Sequence, residues 1–504
     1  MLNTSTSLLQ QLSSVYLFGQ RDFPQPEKKF EIKDFYNSDE LNELELKSSE
    51  PESKLRHAIS KLNMDWDTFP GSMRNSAASI FDAFFSSIGS KFAQSLGFTP
   101  KLAITAGTFM LSMLGNEVKL PFISDKLSLF NYSGRLLRAP LHFFDSIFSV
   151  IGESWSGSNL VNLLSLGTST IGLSNSLKNP DDFKKNNDLD YQTINGTLGR
   201  SSLHNLQSMT SSFAQHIYEK SPLLGTATTL ALTGLGLSLP KEIKDHDISW
   251  KSINGLLTQN LFHFSDSLYS GLGSLVTKGL LKSQLLSFSL IPVLAGLGLN
   301  KTIQNLMSKK LVFTKFNSKT LRSMIHMLDT VVFNLGTEFS KTKLALPFVG
   351  LYTLLSSLTL PKDKPLPTIP EFKIEMNTVG GLLQRVPFDF IESVISASSN
   401  KFGQKIPAPI LALIGPSLSY KLGNLFKDAK TPFNTSTGLM LKHMIHFWDN
   451  LLTSSGYSTG KSLMNLFLPS DDKKYSGSIL SDGRWMTSDG RIVSKMALGK
   501  QLAS

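Results

Sequence analysis

No cysteine occurs among the 504 residues, which excludes disulfide bonds, thiolate metal sites and cysteine nucleophiles. Charge is sparse: Asp, Glu, Lys and Arg make up only 18% of the chain. Mean hydropathy is -0.02, too low for a chain made chiefly of membrane spans. The N-terminal stretch MLNTSTSLLQQLSSVYLFGQ lacks a basic start and an uninterrupted apolar run, so no secretory leader is expected. A complete phosphate loop is also missing. GYSTGKS at Gly456 to Ser462 has three residues between its first Gly and the GK pair where four are needed, and Ser455 stands at the position of the first Gly.

Phenylalanine is abundant (34), and the net charge is +11. Residues 1–69 hold 12 acids and 8 bases, a balance of -4, which leaves +15 on the remainder. Such an excess favours anionic partners, membrane lipids in particular. Lysines scattered among the joints, with no aromatic-lined basic face, argue against nucleic acid. The Asn-, Lys-, Ser- and Phe-rich composition resembles bacterial proteins.

One short string recurs along the chain. His142 to Asp145 reads HFFD, His263 to Asp266 HFSD, His326 to Asp329 HMLD and His446 to Asp449 HFWD. Weaker copies end at Asp82, at Gln207 (with His204) and at Asp389. The final positions 82, 145, 207, 266, 329, 389 and 449 are spaced by 63, 62, 59, 63, 60 and 60 residues. This period predicts an all-α fold of seven tandem helical hairpins, solenoid-like or membrane-embedded.

The hairpins are expected near 70–125, 126–190, 191–250, 251–313, 314–373, 374–430 and 431–469. An acidic arm (1–69) precedes them, and a polar tail (470–504) follows. Each hairpin reads as an amphipathic helix A followed by a helix B that is apolar all round, as in SPLLGTATTLALTGLGLSLP at 221–240. Asn131, Asn195, Asn254, Asn317 and Asn377 are the predicted N-caps of A. Burial of B between layers, with A outermost, is the expected packing. In the seventh copy B shrinks to GYSTGKSLMNLFLP. The tail duplicates SDGR at 481–484 and 488–491, which fits a hairpin or an exposed peptide.

His and Asp at i and i+3 share a helix face, the arrangement of a metal site or an acid/base pair. Repetition favours a structural reading, because an active site is built once whereas a packing contact recurs at every interface. His142, Asp145, His204, Gln207, His263, Asp266, His326, Asp329, Asp389, His446 and Asp449 are therefore read as register positions that hold one hairpin against the next. No catalytic residue, metal, cofactor or small-molecule substrate is assigned. The expected function is a non-enzymatic, membrane-associated scaffold or membrane-shaping protein that contacts anionic lipids, with a protein partner or self-association possible. The alternatives are an integral pore or transport protein and a soluble solenoid that binds a protein partner. A helix A that crossed a bilayer would bury an Asp in most copies, at roughly 2.5–3.5 kcal/mol each.

Overall fold

The computed structural model describes residues 64–114, 132–178, 189, 192–249, 251–280, 293, 300, 308, 310–312, 314–358, 372–375, 377–403, 406 and 408–468, with three short strands in the tail. The arm up to residue 63, the predicted cap Asn131 and the B segment at 283–299 lie outside the described residues.

Apart from the tail strands and isolated bridges, the regular structure is helical. Long helices are α1 (Phe69–Ser95), the pair α3 (Tyr132–Arg138) and α4 (Leu141–Ser154), α6 (Ile194–Lys220), α9 (Ile253–Leu280), α10 (Phe316–Phe339), α12 (Val379–Gly403) and α14 (Ser436–Phe467). Alternating with them are α2 (Phe98–Leu114), α5 (Asn159–Lys178), α7 (Pro222–Ser238), α11 (Ala345–Ser357) and α13 (Ala408–Leu425), and one turn, α8 (Lys241–Lys244), follows α7.

Five of the long helices, α1, α6, α9, α12 and α14, start where a hydroxyl meets a glycine. Thr68, Thr193, Ser252, Thr378 and Thr435 accept the backbone N–H of Gly71, Gly196, Gly255, Gly381 and Gly438 at 3.0–3.1 Å. The predicted Asn caps are thereby corrected. Asn195, Asn254 and Asn317 lie inside the first helical turn, and Asn377 precedes the cap Thr378. Glycine is needed three residues after the cap because the lead-in chain folds back there. A Cβ at Gly71, Gly255, Gly381 or Gly438 would overlap the carbonyl of Asp65, Ser249, Glu375 or Pro432.

Neighbouring lead-ins also pair. Single antiparallel bridges join Asp247 to Lys315, Lys310 to Thr378, Lys373 to Thr435, and finally Lys430 to Thr68. The last of these connects the end of the series to its beginning. Long helices pack in the same order: α1 on α4, α4 on α6, α6 on α9, α9 on α10, α10 on α12, α12 on α14, and α14 back on α1. The array that reads as open in the sequence closes into a ring.

Small residues set the helix spacing. Gly89, Gly152, Gly273 and Gly336 face the backbone of the following helix at Phe143, Asn205, Met327 and Phe390, so closely that a Cβ would collide. Gly456 on α14 makes the equivalent approach to Ile80 on α1. Each of these glycines stands seven residues after a register Asp.

Burial reverses the expected layering. Helix A, predicted outermost, is inside, and helix B is outside. On α7 only Gly225 and Thr229 are buried, and α13 buries Leu411, Gly415, Ser419 and Gly423 at a four-residue spacing. Outer helices turn a stripe of small and hydroxyl residues inward and their leucines outward. The inward stripe is held by inner aromatic side chains: Trp155 Nε1 donates to Thr105 Oγ1 (2.9 Å), Trp448 Nε1 donates to Ser419 Oγ (2.6 Å), and Tyr218 and Thr229 hydroxyls share a bond (2.6 Å). Many hydroxyls of the polar inner layer bond locally. Ser and Thr hydroxyls donate to carbonyls one turn back, as Thr258 does to Asn254 and Thr277 to Gly273.

GYSTGKS lies within α14, a continuous 32-residue helix, so it does not form the expected shortened B. In the tail, β1 (Gly477–Ile479), β2 (Trp485–Thr487) and β3 (Ile492–Val493) pair antiparallel in that order. In the sequence the two SDGR units fall between consecutive strands.

Candidate functional site

The register residues converge on the interfaces between inner helices. Arg135 of α3 donates to Asp82 of α1 at 2.8 Å, and His142 Nε2 lies 3.6 Å from the same carboxylate. Asp145 of α4 pairs with His204 Nδ1 of α6. Farther around, His326 of α10 sits between Asp266 of α9 (3.8 Å) and its own Asp329 (3.6 Å). The recurring theme is an Asp on one helix facing a His on the next.

Three positions depart from that theme. Val386 replaces the His before Asp389, and Arg385 takes its place, donating from Nε to Asp389 at 2.8 Å. Glu392, one turn on, faces His443 (3.9 Å) and His446 (4.0 Å) of α14. Gln207 stands where the third Asp would be, so α6 offers no carboxylate at that position toward His263. Glu392, Arg385 and His443 are functional-type residues that the four-residue motif misses. Their only sequence signal is that charge persists on the A segments in a chain poor in charge.

Asp449 lines a small cavity at the α14–α1 junction together with Trp66, Ser72, Lys442, His446 and Phe433. Lys442 Nζ donates to the Trp66 carbonyl at 2.9 Å. Burial drives the Lys442 amine well below the usual lysine range, against the pull of Asp67 and Asp65.

Burial and neighbours split the register carboxylates. Asp145 is buried, which raises its pKa, but His204, His142 and Arg138 outweigh this and hold it below the ordinary carboxylate value. Burial and the facing Asp389 push Asp329 well above it, with Arg322 opposing. His142 and His326 are both lowered by burial, against the raising effect of the nearby acids. A depressed Asp contributes stability that is present above its unfolded pKa and lost as pH falls through its folded pKa. A raised Asp does the reverse, and its contribution is lost as pH rises through the folded pKa. Asp145→Asn is therefore expected to destabilise the chain at pH 7 by about 1–3 kcal/mol, with a partner left unpaired. Asp329→Asn is expected to be neutral or stabilising by on the order of 1 kcal/mol at the same pH. Urea unfolding of both variants between pH 5 and 8 checks the opposite signs.

Among the described residues, no group of three or more His, Asp or Glu is placed to hold a metal ion. Asp82, Asp145 and Asp266 each meet a His of the next inner helix, and the α12–α14 contact uses Glu392 instead.

A second feature lies on the outside. Leu223, Leu230, Leu235 and Leu237 of α7, Leu346, Leu351 and Leu354 of α11, and Ile410, Leu413 and Leu418 of α13 are exposed. So are Leu160, Leu163, Leu164 and Ile171 of α5, and Phe98, Met110 and Met113 of α2. Each of these outer helices thus exposes several large apolar side chains. No protein-family model, no characterised protein and no solved structure matches the chain.

Proposed function

We propose that the chain is seven copies of a helical-hairpin repeat closed into a ring, the last copy being the unbroken helix α14, with an N-terminal arm (1–69) and a tail (470–504), and that it acts as a non-enzymatic, membrane-associated scaffold. The observation that carries this reading is the inversion of its layers: leucines point out from five outer helices while histidines, arginines and carboxylates point in. Lipid is the occupant that best fits the outer face. Outer helices carry almost no charge along their length, and lysines such as Lys178, Lys220, Lys241, Lys341 and Lys401 gather at helix ends. That order, apolar flanked by basic, matches acyl chains flanked by anionic head groups.

An outer helix of 17 residues, such as α7, is about 25 Å long, short of the ~30 Å hydrocarbon core. No described helix is long and apolar enough to cross a membrane. Insertion of outer faces into the head-group and upper acyl region is the mode these lengths favour. Each leucine so buried contributes roughly 1.5–3 kcal/mol, so a few helices suffice for binding, and a ring of them gathers lipid around a rigid frame.

Vesicle flotation tests the reading. The purified chain should float with vesicles containing phosphatidylserine and float less with neutral ones. Protein left in the dense layer with both would overturn it.

A further inference from the structure

The outer layer follows a rule of placement. Four of the described outer helices pack on the next two inner helices after their own: α2 on α4 and α6, α5 on α6 and α9, α11 on α12 and α14, α13 on α14 and α1; α7 packs on α9 and α10 and also on its own α6. By the same rule, the hairpin that starts with α14 would lay its outer helix across α1 and α4. α14 runs straight to Phe467, and nine residues, 468–476, separate it from β1.

The position left open is aromatic. Phe81 and Phe92 on α1 and Phe144 on α4 are exposed, and Phe92 and Phe143 bridge the two helices with ring centroids 6.0 Å apart. At the α4–α6, α6–α9, α12–α14 and α14–α1 seams an outer helix covers the corresponding position. The segment that approaches this seam is β1, which lies against both α1 and α4.

We propose that the C-terminal β-meander is the chain's own substitute for the seventh outer helix, docked on the aromatic seam between α1 and α4. The sheet β1–β2–β3 supplies a face where the other described seams receive a helix. This inference rests on the hairpin order proposed above but not on lipid binding.

Because the chain has no cysteine, an introduced pair is the only one present. Ser478→Cys in β1 is combined in the full-length chain with Phe81→Cys, Phe92→Cys or Phe144→Cys, and separately with Leu346→Cys on α11 as the distant control. A short bismaleimide is added to dilute protein without lipid. Docking places the two thiols at millimolar effective concentration, so at least one seam pair should cross-link within the monomer about 100-fold faster than at micromolar intermolecular concentration. The control pair should not. Equal yield for seam and control pairs would overturn the proposal, as would products found only between chains, which would indicate a second copy on the seam. Far-UV circular dichroism of each variant confirms folding. A Thr68→Cys/Lys430→Cys disulfide made in parallel reports ring closure, so loss of the tail contact with the ring intact is distinguishable from failure of the ring.

Discussion

Substituting Leu230→Asp, Leu351→Asp and Leu413→Asp together should abolish vesicle flotation while leaving the fold unchanged. These side chains are 62%, 58% and 79% exposed on three different outer helices. They make little of the folding energy, and surface changes of this kind fall within about 0.5 kcal/mol each. In lipid the balance differs. A site that loses a leucine forfeits roughly 1.5–3 kcal/mol of burial, and an Asp in hydrocarbon adds a penalty of about 2.5–3.5 kcal/mol at full depth. If one of the three helices is engaged at a time, binding falls by about 4–6 kcal/mol, on the order of a thousandfold or more. Flotation at the wild-type level would show that the outer leucines do not contact lipid.

Gly456→Leu is expected to be the most damaging single change to the ring itself. A side chain there meets the Ile80 backbone, which has no rotamer to yield, so α14 and α1 must separate. Overpacking of this sort costs about 1–3 kcal/mol or more, and here it strikes the contact that joins the two ends of the series. Gly107→Leu on α2 is the control, because nothing lies within 4 Å of a Cβ at that position. It should be neutral or slightly stabilising, since leucine is a better helix former than glycine by about 1 kcal/mol. The difference between the two midpoints in urea measures the seam. Equal midpoints would mean that α14 does not rest on α1.

The spacing of about 60 residues between copies of the His/Asp string is visible in the sequence because charge is rare in this chain and the recurring Asp stands out against it. All-α architecture followed from the alternation of two kinds of helical segment. Which helix goes inside was not legible from hydropathy, which sends the apolar segment to the core. Inner helices can be polar here because they approach backbone to backbone through Gly89, Gly152, Gly273, Gly336 and Gly456, leaving Ser and Thr to bond within their own turn and Asp to meet His or Arg across the interface. A sequence signal existed: the residue seven after each register position is Gly89, Gly152, Ala214, Gly273, Gly336, Ser396 and Gly456, small every time. Helix starts were misassigned by one or two residues because Asn stands beside the true Thr or Ser cap, and the glycine that receives the cap was overlooked. Closure could not be read from any single repeat. It depends on the last lead-in finding the first.

Ring closure is the claim on which the rest depends, and an engineered disulfide tests it most directly. Thr68 and Lys430 are bridge partners although 362 residues apart, a separation given by 430 − 68. Facing residues of an antiparallel pair sit about 4.5–5.5 Å apart at Cα, within disulfide range. In Thr68→Cys/Lys430→Cys, mild oxidation should give a monomer that migrates faster on a denaturing gel and reverts on reduction. Free thiols after oxidation, or disulfide-linked dimers alone, would contradict a closed ring.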